Sequence, residues 1–153
     1  MIEQDSSQAA LVLIGHGSTK NDDSGAAVFH QADELRRRRL FAQVQEGFWK
    51  QEPRVLQVVP QLAQSKVFLV PLFISEGYFS EDVIPRALGF NPQAEAESGR
   101  VRTVGEQVLF YCRPVGSHPS MTKVLLSRAE AVIRQFQSSS SSNPRSLRRR
   151  LSA

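Results

Sequence analysis

The chain of 153 residues is 41% hydrophobic and 22% charged, proportions that predict one folded domain and exclude a globally disordered chain. Its single cysteine, Cys112, excludes an internal disulfide, and no apolar run approaches the roughly 20 residues that cross a bilayer. The formal charge of +4 comes largely from two arginine-rich runs, which we interpret as a helix end and a basic tail rather than a nucleic-acid-binding surface. Because the first residues also lack the pattern of a secretory signal, we expect a cytoplasmic protein with no nucleic-acid or membrane partner.

Apolar runs and capping residues predict four strands that alternate with four helices. Short apolar runs between turn residues are typical of buried strands, and apolar residues spaced three or four apart are typical of helices. We place the strands at residues 10–14, 42–47, 66–74 and 107–112. The helices should follow them, with Asp23 or Ser24 as the first cap, Pro53 opening the second, Ser80 capping a short helix over residues 81–88, and Pro119 and Ser120 opening the last. Pro60 predicts a kink in the second helix.

This order of elements predicts an α/β fold, a single three-layer domain with a mostly parallel four-stranded sheet. The domain should occupy residues 10–137. A flexible N-terminus at residues 1–9 and a disordered Ser- and Arg-rich tail at residues 138–153 would flank it. The polar segment 89–106 is predicted to be a long loop, of the kind that often forms a lid or a binding loop.

His16 is the clearest candidate for a functional residue. Ligands of such folds bind beyond the carboxyl ends of the strands, and His16 follows the first strand between two glycines, in the segment LIGHGS. A neutral imidazole there can bind a metal or accept a proton. Metal affinity should then fall at acidic pH, because a protonated ring cannot bind metal. The alternative is a histidine that only hydrogen-bonds its own loop.

Three segments in this order resemble the CbiX family of sirohydrochlorin chelatases. They are LIGHGS at residues 13–18, VPLFISEGYFSEDVIP at residues 70–85, and RPVG at residues 113–116 before a helix. The similarity covers about residues 11–136. It implies a chelatase-like fold and a class II chelatase, a lyase that inserts Co²⁺ or Fe²⁺ into sirohydrochlorin in cobalamin or siroheme biosynthesis. It also implies a homodimer of single lobes, a tetrapyrrole partner, and a divalent metal as substrate without an organic cofactor.

The resemblance also implies roles for single residues, and here the chain departs from the family. His16 matches the catalytic histidine that binds the metal and helps to take protons from the pyrrole nitrogens. The family usually has a second histidine two residues after the glycine of the second segment, and this chain has Phe79 there. Phenylalanine neither coordinates a metal nor accepts a proton. His16 as the only ligand would make a weak site, since catalytic metals usually have about three protein ligands.

Three alternatives follow from this replacement. Other residues could complete the metal site, with Glu46 and His118 as the predicted ligands beside His16. The tetrapyrrole itself could supply most of the coordination. Or the chain binds a tetrapyrrole or a metal without chelating. Two of the predicted ligands also have plainer interpretations: His118 as part of a helix cap and Glu46 as a surface carboxylate.

The predicted contacts to the substrate lie in the same loops. We expect them at Ser18, Glu76, Tyr78 and Phe79, with the two aromatic rings as an apolar wall against the macrocycle. Sirohydrochlorin carries many carboxylates, which arginine binds in a bidentate manner. Candidate arginines, each of which could also be ordinary surface charge, are Arg86, Arg100, Arg102 and Arg113. A histidine-dependent phosphoryl-transfer enzyme is disfavoured, because glycine rather than arginine precedes His16.

Overall fold

The computed structural model describes residues 6–94 and 99–142. The chain divides into two compact units, Met1–Ser117 and His118–Ala153. The first unit contains one five-stranded sheet with the order β2-β1-β3-β5-β4. The strands are β1 Ala10–Gly15, β2 Gln43–Phe48, β3 Lys66–Pro71, β4 Gly99–Val104 and β5 Gln107–Cys112.

Four of the five strands run parallel. β1 pairs with β2 and β3, β3 also pairs with β5, and β4 alone is antiparallel, to β5. The predicted α/β class with a mostly parallel sheet is confirmed, and the sheet has five strands instead of four.

The helices are α1 Ala26–Arg38, α2 Val55–Val58, α3 Ile84–Ala87 and α4 Ser120–Ser142. α1 begins after Gly25 with no side-chain cap, so the prediction of Asp23 or Ser24 as its cap was wrong. α1 is followed by Arg39, whose φ of 53° is left-handed, as is common where helices stop. α2 passes into a 3₁₀ turn at Val59–Gln61, where Pro60 cannot donate the helical hydrogen bond.

The fourth helix constitutes the described part of the second unit. It has the predicted start at Ser120 and continues to Ser142, five residues into the predicted tail. Residues 143–153 of that tail, and residues 1–5 of the predicted flexible N-terminus, lie outside the described residues. Among the described helices, none combines the length and the apolar character that a bilayer crossing requires.

The prediction of a loop over residues 89–106 was wrong in its second half, which contains β4. This strand pairs with β5 through a two-residue turn at Gly105 and Glu106. It is mostly exposed, so it has no apolar run to reveal it. The alternation of Arg100, Val101 and Arg102 ahead of a turn with glycine was the available signal. Residues 95–98 of the predicted loop lie outside the described residues.

The central strand β1 is buried on both of its faces. Val12 and Ile14 of β1 belong to the apolar cluster that includes Val55 of α2 and Ile84 of α3. Leu11 and Leu13 belong to a second cluster with Val28 and Ala32 of α1, on the opposite face. Alternate residues of a strand point to opposite faces, so β1 is buried on both sides. Each such side chain contributes roughly 1.5–3 kcal/mol, which makes the sheet a firm support for the loops at its carboxyl edge.

Candidate functional site

His16 leaves the sheet directly after the last residue of β1. A Cβ at Gly15 would lie 2.8 Å from the Phe48 ring and from Val28, so glycine is needed where the strand passes these side chains. The His16 side chain is exposed, and its backbone is held in place because its carbonyl accepts a hydrogen bond of 2.7 Å from the Lys50 N–H. The predicted position of this imidazole, at the end of the buried first strand, is confirmed.

The ring of His16 has a defined hydrogen-bond partner. Its Nδ1 lies 2.9 Å from the carbonyl oxygen of Gly17. Because a carbonyl oxygen only accepts, this contact requires the proton on Nδ1. In the neutral ring the lone pair is therefore on Nε2, the nitrogen that can bind a metal or accept a proton.

Aromatic rings surround His16 on the side of the loop after β3. The centroid of the Phe79 ring lies 4.7 Å from that of His16 with an interplanar angle of 87°, and Phe73 lies at 6.5 Å and 77°. Both phenylalanines also pack against the core, whereas Tyr78 is 71% exposed. Phe79 therefore occupies the position beside His16 where the family's second imidazole is expected, and it makes the surroundings of the ring apolar.

Ser80 fixes the loop that carries Phe79. Its side chain is buried, and its Oγ accepts a hydrogen bond of 3.0 Å from the Gly77 N–H. The hydroxyl of Tyr111 in β5 donates to the Ser80 carbonyl at 2.6 Å, and burial raises the pKa of this tyrosine. The prediction that Ser80 caps a helix over residues 81–88 was wrong in its bounds. Ser80 lies inside a π turn at Phe79–Val83, and α3 begins at Ile84.

Glu76 joins the loop after β3 to the loop after β5. Its carboxylate accepts hydrogen bonds from the Ser117 hydroxyl, at 2.8 Å, and from the Arg113 guanidinium. These two bonds hold the pKa of Glu76 below its usual value. The loops also meet through their backbones, because the Gly116 N–H donates to the Phe73 carbonyl at 3.0 Å. The predicted substrate contact at Glu76 is thus a carboxylate that already has partners within the chain.

Ser18 and Gly17 are held by Gln51, which follows β2. Gln51 Oε1 accepts from the Ser18 N–H at 3.2 Å and from the Ser24 hydroxyl at 3.0 Å. The Ser18 hydroxyl in turn accepts from the Lys20 N–H at 3.0 Å. Gly17 has a left-handed φ of 70° and lies against the Gln51 side chain, so a larger residue would be strained there. The predicted substrate contact at Ser18 belongs to a loop of fixed shape.

Glu46 is not at the edge of the sheet with His16. It pairs with Leu13 in the register of β1 and β2, and it shares the α1 side of the sheet with Val44 by strand alternation. Its carboxylate, 15% exposed, forms an ion pair with Arg36 of α1. Burial lowers the pKa of Arg36, but the bonds to Glu46 and Asp33 outweigh it and leave that pKa raised. The structure therefore gives Glu46 a contact between strand and helix, and its role as a metal ligand stays a prediction.

His118 has the contacts of a helix cap. Its Nδ1 accepts a hydrogen bond of 3.2 Å from the Ser120 N–H, and its carbonyl accepts one of 2.9 Å from the Met121 N–H. Both bonds satisfy amides at the start of α4. The structure supports the interpretation as part of the cap, and the metal-ligand role of His118 stays a prediction.

Within residues 6–94 and 99–142, the structure brings no three His, Cys, Asp or Glu side chains together as a metal site. The candidate arginines also have acceptors within the chain. Arg86 binds Asp82, Arg100 binds Glu81 and the Pro92 carbonyl, Arg102 binds the Leu88 carbonyl, and Arg113 binds Glu76. To bind a substrate carboxylate, each of these arginines would have to give up its present acceptor.

The segment that follows β2 was not among the predicted site residues. Trp49 donates from its N–H to the Gly15 carbonyl at 3.1 Å, Lys50 to His16, and Gln51 holds Ser18. The available signal was its place at the carboxyl end of a strand, next to β1. In the sheet order β2-β1-β3, this segment follows one neighbour of β1 and the loop of Phe79 follows the other.

Comparison with known proteins agrees with the resemblance read from the motifs. The family model CbiX matches residues 10–132. A probable sirohydrochlorin cobaltochelatase of Halobacterium salinarum is 41% identical over 133 residues, which are 80% of this chain and 46% of that protein. A sirohydrochlorin cobaltochelatase of Methanopyrus kandleri is 25% identical over 139 residues, which are 81% of this chain and 96% of that protein. The chain therefore spans under half of the first relative and nearly all of the second.

Solved structures give the same picture of the fold. A multi-domain protein of Deinococcus radiodurans, described as structurally similar to chelatases with two additional novel domains, is 39% identical with a TM-score of 0.73. The match covers 80% of this chain and 28% of that one. A putative cobalamin biosynthesis CbiX protein of Marinobacter aquaeolei has a TM-score of 0.59 at 15% identity, covering 83% and 98% of the two chains, which shows the fold alone. The family model covers most of the chain and includes His16 and Phe79, so this chain belongs to the CbiX family.

Proposed function

We propose that this protein inserts a divalent metal into sirohydrochlorin, with the Nε2 atom of His16 as metal ligand and base. The observation that carries the proposal is the hydrogen bond between His16 Nδ1 and the Gly17 carbonyl, which leaves the Nε2 lone pair available in the neutral ring. Family membership and relatives named as sirohydrochlorin cobaltochelatases support the reaction and favour Co²⁺ over Fe²⁺. This assigns the protein to the lyases and to cobalamin rather than siroheme biosynthesis.

The proposed reaction needs three contributions from the chain. The fixed loop of Gly17 and Ser18 presents the imidazole at the sheet edge. The rings of Phe73 and Phe79 offer an apolar surface for one face of a flat macrocycle. His16 then holds the metal until pyrrole nitrogens replace it. Once the metal has left, His16 accepts one of the two displaced pyrrole protons, and the second passes to water. Glu46 and His118 remain candidates for further ligands.

The proposal includes a homodimer, because single-lobe members of the family pair to enclose the tetrapyrrole. It also includes a cytoplasmic location, in keeping with the single cysteine, Cys112, which has no partner for an internal disulfide.

A second candidate function is tetrapyrrole or metal binding without chelation. Its support is Phe79, which places an apolar ring 4.7 Å from His16 where a second ligand is expected. This alternative predicts tight binding of the macrocycle with no acceleration of metal insertion.

A visible-absorption time course of sirohydrochlorin with Co²⁺ distinguishes the chelatase function from binding without chelation. A chelatase accelerates the spectral change over metal alone, and His16→Ala abolishes the acceleration. His30→Ala, an exposed histidine of α1, is the matched control and should leave the rate unchanged. His118→Ala tests the additional ligand, since a cap residue should alter stability but not the rate. No acceleration by the unmodified protein with Co²⁺, Fe²⁺ or Ni²⁺ would replace the chelatase proposal with the binding function.

A further inference from the structure

A cavity of about 350 Å³ lies at the carboxyl end of β2, outside the ring of aromatic residues around His16. Apolar side chains and two cations line it together. The lining residues are Phe48, Trp49, Lys50, Arg54, Leu56 and Gln57. Its volume is near the lower limit for small-molecule pockets, so it fits a substituent of a ligand rather than a whole macrocycle.

The wall of this cavity and the His16 loop are bonded to each other. Trp49 donates to the Gly15 carbonyl at 3.1 Å and Lys50 donates to the His16 carbonyl at 2.7 Å. Two residues of the cavity wall, Trp49 and Lys50, are therefore bonded directly to the strand end that carries His16.

The charges around the cavity favour an anion. The Arg54 guanidinium donates to the Trp49 carbonyl, and its Nε lies 3.8 Å from Glu52, which partly neutralises it. Lys50 is exposed, and among residues 6–94 and 99–142 its ammonium has no ion-pair partner. This contrasts with Arg86, Arg100, Arg102 and Arg113, which all have acceptors in the chain. Lys50 can thus bind an anionic group at the cavity without giving up an internal ion pair.

We propose that this cavity binds one carboxylate arm of the tetrapyrrole. Lys50 donates to the carboxylate, Arg54 adds positive potential, and Trp49 packs against the methylene stem of the arm. The inference deepens the proposed function and rests on it, because it assumes that the ligand at His16 is a macrocycle with carboxylate side chains. The contact would fix the rotation of the macrocycle over His16.

Trp49 makes the proposal directly measurable, since it is the one tryptophan of the chain. Quenching of its fluorescence by metal-free sirohydrochlorin gives the dissociation constant. Lys50→Ala should weaken binding about fivefold, the upper range for an exposed charge pair. Lys50→Glu should weaken it further, and Lys50→Arg should restore it. Lys66→Ala, at the opposite end of β3, is the charge-matched control and should leave the affinity unchanged.

A tetrapyrrole with methyl-esterified arms isolates the contact. If Lys50 binds a carboxylate, the unmodified protein and Lys50→Ala should bind the ester with equal affinity, while they differ for the free acid. The difference for the free acid should also shrink as salt rises. Because Lys50 is exposed, the variants should fold, and circular dichroism checks this.

The outcomes distinguish this inference from the proposed function. The unmodified protein and Lys50→Ala could bind the free acid with equal affinity while metal insertion stays intact. That result would overturn the carboxylate subsite and leave the chelatase proposal standing. Absence of any quenching by sirohydrochlorin would overturn both. A loss that is the same for the acid and the ester would assign Lys50 a structural role and would also overturn the subsite.

Discussion

The rings of His16 and Phe79 meet edge to face, with their centroids 4.7 Å apart and their planes at 87°. His16 ends the first strand and Phe79 lies in the loop after the third, yet the adjacency of β1 and β3 brings the loops together. The apolar ring leaves the bond between His16 Nδ1 and the Gly17 carbonyl in place, but it supplies no second ligand. The metal insertion that we propose would therefore depend on one imidazole plus what the substrate or other residues add.

Phe79→His should create a two-histidine site. We expect Co²⁺ affinity to rise at least about tenfold, because a second imidazole at this position can coordinate the same ion. Isothermal titration calorimetry with Co²⁺ measures it. Tyr78→His is the matched control, since its exposed side chain is one residue away and does not contact His16. An equal gain in both variants would show nonspecific binding by surface histidines.

Gly116→Ala should separate the loops after β3 and β5. A Cβ at Gly116 would lie 1.6 Å from the Ile74 carbonyl oxygen, so the backbone must move. We expect the free energy of unfolding to fall by about 3 kcal/mol, as in severe overpacking. Gly77→Ala is the control in the neighbouring loop, where the nearest atom to the added Cβ is the Ser75 Oγ at 3.7 Å. Urea denaturation of both variants tests this, and a similar small change in both would contradict the close approach.

Glu76→Gln should destabilise the protein at neutral pH and lose its effect in acid. The pKa of Glu76 is held below its ordinary value of 4.5 by Ser117 and then by Arg113. A lowered pKa contributes stability that is present above the unfolded value and is lost as the pH falls through the folded one. The effect should be small because the groups are exposed. Urea denaturation at pH 7 and at a series of pH values below 4.5 measures it, and a difference that does not shrink as the pH falls would argue against ionisation as the cause.

Tyr111 should resist ionisation while the protein is folded. Burial raises its pKa above the ordinary 10.0, so its contribution to stability is present below that pH and is lost as the pH rises. In Tyr78→Phe, Tyr111 is the one remaining tyrosine. Tyrosinate absorbance in an alkaline titration should then appear together with unfolding, followed by circular dichroism. Ionisation of the folded variant near pH 10 would contradict the burial of the hydroxyl.

Tyr111→Phe provides a separate test of the bond to the Ser80 carbonyl. Removing the donor leaves a buried carbonyl without that bond, and we expect a loss of about 1–3 kcal/mol in unfolding free energy. Because the bond fixes the loop of Phe79, the variant should also bind sirohydrochlorin more weakly. Unchanged stability in urea denaturation would show that the bond is replaced.

The amino-acid sequence by itself determined the parallel core and the position of the main candidate residue, His16. β1 is an apolar run because both of its faces are buried, and β3 and β5 are apolar runs with one face buried and the other half-buried. That apolar pattern can be recognised from the sequence alone. The rule that ligands meet the carboxyl ends of parallel strands then located His16. The motifs around it were enough to identify the family and the replacement at Phe79.

Only the tertiary structure decided which polar groups surround His16. The exposed β4 has no apolar run, so it is recognised as a strand only from its pairing with β5. Glu46 was assigned to the site from its strand, but the register turns it toward Arg36 of α1. Lys50 and Trp49 had no motif to mark them, and their role comes from backbone bonds between two neighbouring strand ends. Hydrophobic periodicity indicates whether a side chain is buried. Which residue that side chain contacts depends on strand order and register, and these are set by contacts between residues far apart in the chain.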